Sequence, residues 1–205
     1  MKQIGFKKTK EKFVRNEKET IWGLSFGHGT YGQKQVRYYD CLYSVDYPKI
    51  TEAAKQMGEY VYGHYGQVGY LMPEKRFVEW RLADYDTEEY YLSMINDIKD
   101  ALNNYVIPFM EKYSTIDAFV NGVESGNIKE SFDHKAVAIA YVLLGRKDDA
   151  LRYMDEVIDC LLCTGICPEE ICEVKIWPLG KLLVTLHLRW QQSRRRCFRK
   201  YAPDK

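Results

Sequence analysis

Near residue 86 the apolar side chains of this chain change their spacing, from every second position to every third or fourth. The stretch "QVRYYDCLYSVDY" sets Val36, Tyr38, Asp40 and Leu42 against Arg37, Tyr39, Cys41 and Tyr43, the period of a strand with two unlike faces. "KFVRN", "TIWGLSF" and "RFVEWRL" have the same β-branched and aromatic character and are separated by Gly- or Pro-bearing loops, so four strands are expected. Between the last two, "KITEAAKQMGEYVYGH" reads as a short helix ending near Gly58. Beyond residue 86, Tyr91, Ile95, Ile98, Leu102, Tyr105 and Phe109 recur at helical spacing after Asp86 and Glu89, which stand at capping-box distance. Pro108 is expected to bend or end that helix. A shorter helix should run through Ile116, Phe119, Val120 and Val123 to Gly126. Two more should flank Gly145, with Asp148 as the second N-cap. Strands first and helices afterwards predict an α+β fold. It would hold an N-terminal, mostly antiparallel sheet of about four strands packed with a long helix, then a helical hairpin.

"AYVLLGRKDDAL" within that hairpin is similar to half of a tetratricopeptide unit, but no second copy follows at the repeat distance, so a solenoid is not expected. The formal net charge of +1 conceals an uneven distribution. Residues 1–18 carry +5, residues 175–205 carry +8, and the stretch between them carries −12. Arginine usage also rises after Cys163, so the expected organisation is one α+β domain over residues 1–163 and a Cys/Arg-rich segment or tail over 164–205. The opening "MKQIGFKKTKEK" has no apolar run behind it and "LLVTLHL" is too short to span a bilayer. A cytoplasmic protein without a membrane span is therefore expected.

The opening residues Gly5, Phe6, Lys7 and Lys8, with Phe13 and Arg15 on the next expected strand, carry a resemblance. Over residues 1–113 the chain resembles bacterial proteins of the domain of unknown function 4304 type. These begin with a Gly-Phe-Lys-Lys stretch, an aromatic-Arg strand and a strand ending in Gly-rich sequence. The resemblance implies an α+β fold and brings no catalytic residues with it.

Two Gly-rich loops attract attention. "GHGTYG", residues 27–32, matches a dinucleotide fingerprint letter for letter, but a strand follows where a helix is needed. A β-hairpin turn is the simpler reading. "GHYGQVG", residues 63–69, is similar. If the two loops met, His28 and His64, with Tyr31 and Tyr65 beside them, would line a small-ligand or enzyme pocket. Elsewhere the histidines lack metal-ligand spacing, and neither a nucleophile elbow nor a phosphate-binding lysine loop is present.

"CLLCTGICPEEIC" contributes Cys160, Cys163, Cys167 and Cys172 as C-x2-C-x3-C-x4-C. Both later gaps exceed those of a bacterial ferredoxin cluster, and the proline follows the wrong cysteine. Four thiolates in so short a stretch could hold one zinc ion, since Gly165 and Pro168 let the chain turn. The alternative is free cysteine packed against the C-terminal segment. No other cofactor is expected. Further on, "RWQQSRRRCFRK" gathers Arg189, Arg194, Arg195, Arg196, Arg199 and Lys200 around Trp190 and Phe198. Arginine with interleaved aromatics suits phosphate and stacked bases. A solvated terminus is the plainer reading.

With no assembled catalytic set, the leading expectation is a non-catalytic protein-interaction or binding module that works through its tyrosine-rich sheet. The chain holds 17 tyrosines, and tyrosine serves both half-buried strand faces and binding surfaces. The alternatives are the pocket at the Gly-rich loops and nucleic-acid or anionic-surface binding through the basic segment.

Overall fold

A computed structural model describes residues 1–163 apart from Glu11, Lys129 and Glu130, with the side chains of Gln3 and residues 158–163 also left aside. The fold is α+β, as the change of period requires. Within it the chain forms two compact units, one of residues 1–48 and 63–132 and the other of residues 49–62 and 133 onward.

The first unit is built on an antiparallel sheet. Its strands are β1 (Lys7–Lys8), β2 (Phe13–Asn16), β3 (Ile21–Gly29), β4 (Val36–Asp46), β5 (His64–Gln67) and β6 (Trp80–Ala83). The order runs β1-β2-β3-β4, and the far edge of β4 is then shared. β5 pairs with Leu42–Val45, and β6 pairs with Val36–Tyr39. The expected strands are present, and β1 and β5 are additions too short for a periodicity to announce. The opening residues form a packing unit: Gly5 takes φ +81°, Phe6 is buried, and Arg15 lies along Gly5. The Arg15 guanidinium stands 4.7 Å over Trp22, donates to the Ile4 carbonyl at 3.2 Å and meets Glu17 at 2.6 Å.

The gap between β5 and β6 is closed by a buried glutamine. Gln67 Oε1 accepts from the Gly69 N–H at 2.8 Å and the Val78 N–H at 3.3 Å, while its Nε2 donates to the Val78 carbonyl. One amide thereby satisfies backbone groups of Gly69 and Val78 in the connection between the two strands. Gln67→Leu should destabilise the protein by about 2 kcal/mol by orphaning those groups. Urea denaturation of the two proteins measures it.

Alternation assigns the sheet's faces. Trp22, Leu24, Cys41, Tyr43 and Val45 share one face and are buried. The long helix runs as α2 (Glu88–Ala101), a π-helical turn (Leu102–Val106) and α3 (Ile107–Lys112). Pro108 therefore neither ends nor breaks it. Proline lacks the N–H and crowds the carbonyl a turn earlier, and the wider π turn, with Ile107 N–H on the Leu102 carbonyl, takes up the misfit. Asp86 is not the N-cap. Its carboxylate accepts from the Ala83 N–H at 2.6 Å, so Thr87 caps the helix by accepting from the Tyr90 N–H at 3.2 Å. The buried stripe is Met94, Ala101, Leu102, Val106 and Met110, which leaves Tyr91 exposed. Helix α4 (Ile116–Glu124) follows and ends before Gly126 at φ +66°. An aromatic cluster joins sheet to helices. Tyr47 stacks on Phe119 at 4.7 Å and donates to the Tyr113 carbonyl at 2.8 Å, and Tyr43 meets Phe109 at 5.5 Å.

The second unit takes most of α1 (Pro48–Gln56) together with the hairpin α5 (His134–Leu143) and α6 (Lys147–Cys163). Pro48 opens α1, where a missing N–H costs nothing, and Gly58 follows it at φ +75°. Residues 136–141 of α5 are all buried, so that helix is covered on every side, and Ala150 of α6 is buried too. Gly145 closes α5 at φ +77°, with the Arg146 N–H reaching back to the Tyr141 carbonyl at 2.9 Å. Asp148 lies inside the first turn of α6 rather than capping it, where with Asp149 it favours the helix dipole. Lys135 to Glu59 at 2.9 Å ties α5 to the segment after α1, and His134 Nδ1 meets the Tyr153 hydroxyl at 2.6 Å between the hairpin helices. No described helix is long and apolar enough to cross a membrane.

Candidate functional site

The loop between β3 and β4 joins a hairpin, as expected from its glycines. Eight residues lie between the last pair, Gly29 and Tyr38, and they form two successive turns, the second closed by the Val36 N–H on the Gln33 carbonyl at 3.4 Å. In the first, the Gln33 N–H reaches the Thr30 carbonyl at 2.7 Å, and the two central residues, Tyr31 and Gly32, take φ +44° and +80°. Positive φ at both central residues is the pattern of a type I′ turn, which normally selects Asn-Gly. Tyr31 therefore holds a left-handed conformation that its side chain disfavours by about 1 kcal/mol. Three contacts hold it there. Its ring meets Tyr38 at 5.1 Å, it lies over Gly29, and its hydroxyl donates to Glu79 Oε1 at 2.6 Å. The hydrogen bond to the Glu79 carboxylate raises the Tyr31 phenol above its usual range.

The register carries the cluster outward from Tyr31. Tyr38 stands opposite Arg81 on the sheet face away from the buried core. The Arg81 guanidinium donates to the Tyr85 hydroxyl at 2.9 Å, lies 5.7 Å from that ring and pairs with Asp86 at 3.3 Å. The side chain of Tyr90 lies beside it. Tyr31 is 68% exposed, Tyr85 66% and Tyr90 43%. The result is a surface of aromatic rings around one held arginine, with its groups positioned by a turn, two paired strands and the first turn of α2. Rings limited to two side-chain torsions, with hydroxyls and a stacked guanidinium, are the groups that recognise protein surfaces.

The residues expected at the Gly-rich loops do not meet. His28 is exposed and stands opposite Tyr39, whereas His64 is buried opposite Val45. Six positions of β4 separate those partners, about 20 Å of strand. Tyr31 and Tyr65 are equally far apart, since Tyr65 pairs with Ser44. Cys160 and Cys163 fall in the last turn and a half of α6, with side chains outside the described part. Cys167, Cys172, Arg189, Arg194, Arg195, Arg196, Arg199 and Lys200 lie outside the described residues altogether. Among the described residues, no three His, Cys, Asp or Glu side chains are grouped to hold a metal ion. Cys41 is buried at the sheet centre, where burial and then Asp40 push its thiol up to about 12, far from a reactive thiolate.

Tyr38, Glu79, Arg81, Tyr85 and Tyr90 were not expected at a site. In sequence, "ADYDTEEYY" reads as a solvated helix start. Only the register that brings β6 beside β4 joins it to the hairpin turn. The tyrosine count is the one signal that pointed this way. No family model, curated protein or solved structure matches the chain.

Proposed function

We propose that this chain is a non-catalytic protein-binding module, and that Tyr31, Tyr38, Arg81, Tyr85 and Tyr90 form its working surface. The observation that carries the reading is Tyr31. A tyrosine is held in a left-handed turn where glycine or asparagine would be relaxed, and its ring stays mostly exposed. Strain kept at an exposed aromatic favours recognition as the reason for the residue. Arg81 adds a guanidinium already oriented by Asp86 and Tyr85, so little side-chain freedom is left to lose on binding. Tyrosine and arginine are the residues most enriched where interfaces concentrate their energy.

A photo-cross-linking amino acid placed at Tyr85 should give one discrete protein adduct in the producing cell, and the same group at Tyr60, which is also exposed, should not. Adding Tyr31→Ser and Tyr90→Ser should reduce the Tyr85 adduct at least about tenfold, the loss of one hot-spot residue. An adduct that survives both changes, or that forms equally from Tyr60, would refute the assignment.

A further inference from the structure

The chain passes between its two compact units after Pro48, after Tyr62 and after Phe132. Within the first unit, two of these passages are tied to each other. His64, the second residue after the return at Gly63, forms an isolated antiparallel bridge with Phe132, the last residue before the exit. Tyr65 N–H donates to the Ser131 carbonyl at 2.9 Å, and Ser131 holds φ +63°, which a serine side chain disfavours. So short a ladder is far weaker than the four-residue register that fixes β5 to β4 on its other side.

The side chain above this tie is the unusual element. His64 is 5% exposed, its ring lies 5.4 Å from Tyr43 and 5.2 Å from Phe109, and its Nδ1 is buried without a partner. The groups packed around it are the Tyr43 phenol from β4, which burial keeps neutral, and the Phe109 ring from α3. Its pairing partners on either side, Val45 and Phe132, carry no titratable group. An imidazolium in that box would have no carboxylate among these neighbours, and its Nδ1 meets no acceptor to replace water, the Tyr43 hydroxyl included. The ring must reach solvent to keep a proton, and the tie to Ser131 and Phe132 is the lesser of the two pairings to part.

We propose that His64 is the latch of a pH-sensitive strap: on protonation, Ser131 and Phe132 part from His64 and Tyr65, and the chain passage at Phe132 is released while the sheet stays paired.

Amide hydrogen exchange read by NMR on the full chain between pH 7.5 and 5 tests this, with rates corrected for the intrinsic pH dependence. The Tyr65 amide should open about tenfold more often for each pH unit below about 6.5, because the opened state takes up one proton. At pH 5.5 it should open at least about a hundredfold more often than the amide of Leu24 in the sheet centre, since the motion is local. In His64→Phe the pH dependence at Tyr65 should vanish. Equal opening of Tyr65 and Leu24 at every pH would mean that only global unfolding frees His64, and would overturn the strap. So would opening of Tyr65 that is independent of pH. Both comparisons are made within the unmodified protein and hold whether or not the variant folds.

Discussion

Replacing Gly63 by alanine is expected to lower the unfolding free energy by about 3 kcal/mol, at the upper end of overpacking penalties. A Cβ there would stand 2.1 Å from the Val45 carbonyl oxygen and 3.0 Å from the Tyr47 ring. Neither neighbour can give way. Val45 is fixed by its register with both Trp22 and His64, and Tyr47 by its hydrogen bond to the Tyr113 carbonyl and its stacking on Phe119. Gly126→Ala makes the control. It sits at φ +66° with nothing within 4 Å of the added Cβ, so it carries only the backbone term of about 1 kcal/mol. Chemical denaturation of the two variants separates crowding from backbone strain, and equal losses would show that Gly63 has more room than its contacts allow.

Acid should cost the protein about 3 kcal/mol of stability between pH 7 and pH 4, apart from what its carboxylates lose lower down. A solvated histidine takes its proton near 6.5, whereas burial holds His64 down to about 4. Between those values the unfolded chain binds one proton more than the folded chain, so stability falls as pH falls. The contribution is complete above pH 6.5, and this group adds no further loss below about 4. Asp149 works in a lower window. The Arg146 hydrogen bond, with Arg152 beside it, lowers the Asp149 pKa, so its contribution is lost only once pH drops below the ordinary carboxylate range. Urea unfolding at pH 7, 5.5 and 4 should show the decline in the wild type and a shallower one in His64→Phe, where His134, whose pKa burial also lowers, leaves a loss of the same sign. A wild-type profile flat across that interval would mean that His64 is solvated in the folded protein.

Much of the architecture could be read from residue spacing. The alternation around Val36–Asp46, the helical stripe after residue 86 and the glycines at 58, 126 and 145 are local signals, and each marks an element or its end in the structure. Local rules failed where a competing partner or the packing of the element intervened. Asp86 has the chemistry of an N-cap, yet Ala83 and Arg81 engage its carboxylate and the cap moves to Thr87. Pro108 has the chemistry of a helix breaker, yet the helix is held on both sides of it by buried Leu102, Val106 and Met110, and a π turn is the less costly answer.

Sequence by itself determined the α+β class, the hairpin turn at Gly32, the short helix closed by Gly58 and the absence of familiar catalytic motifs. These depend on neighbours within a few residues, where periodicity, backbone freedom and side-chain chemistry act directly. Only the tertiary structure decided which distant residues share a surface. Two histidines in look-alike loops are set about 20 Å apart by the register of β4. Tyr31 and Arg81, fifty positions apart in sequence, are brought into one cluster by that same strand. The physical reason is that a strand fixes its neighbours by hydrogen-bond register, a pairwise property that no single stretch of chain contains.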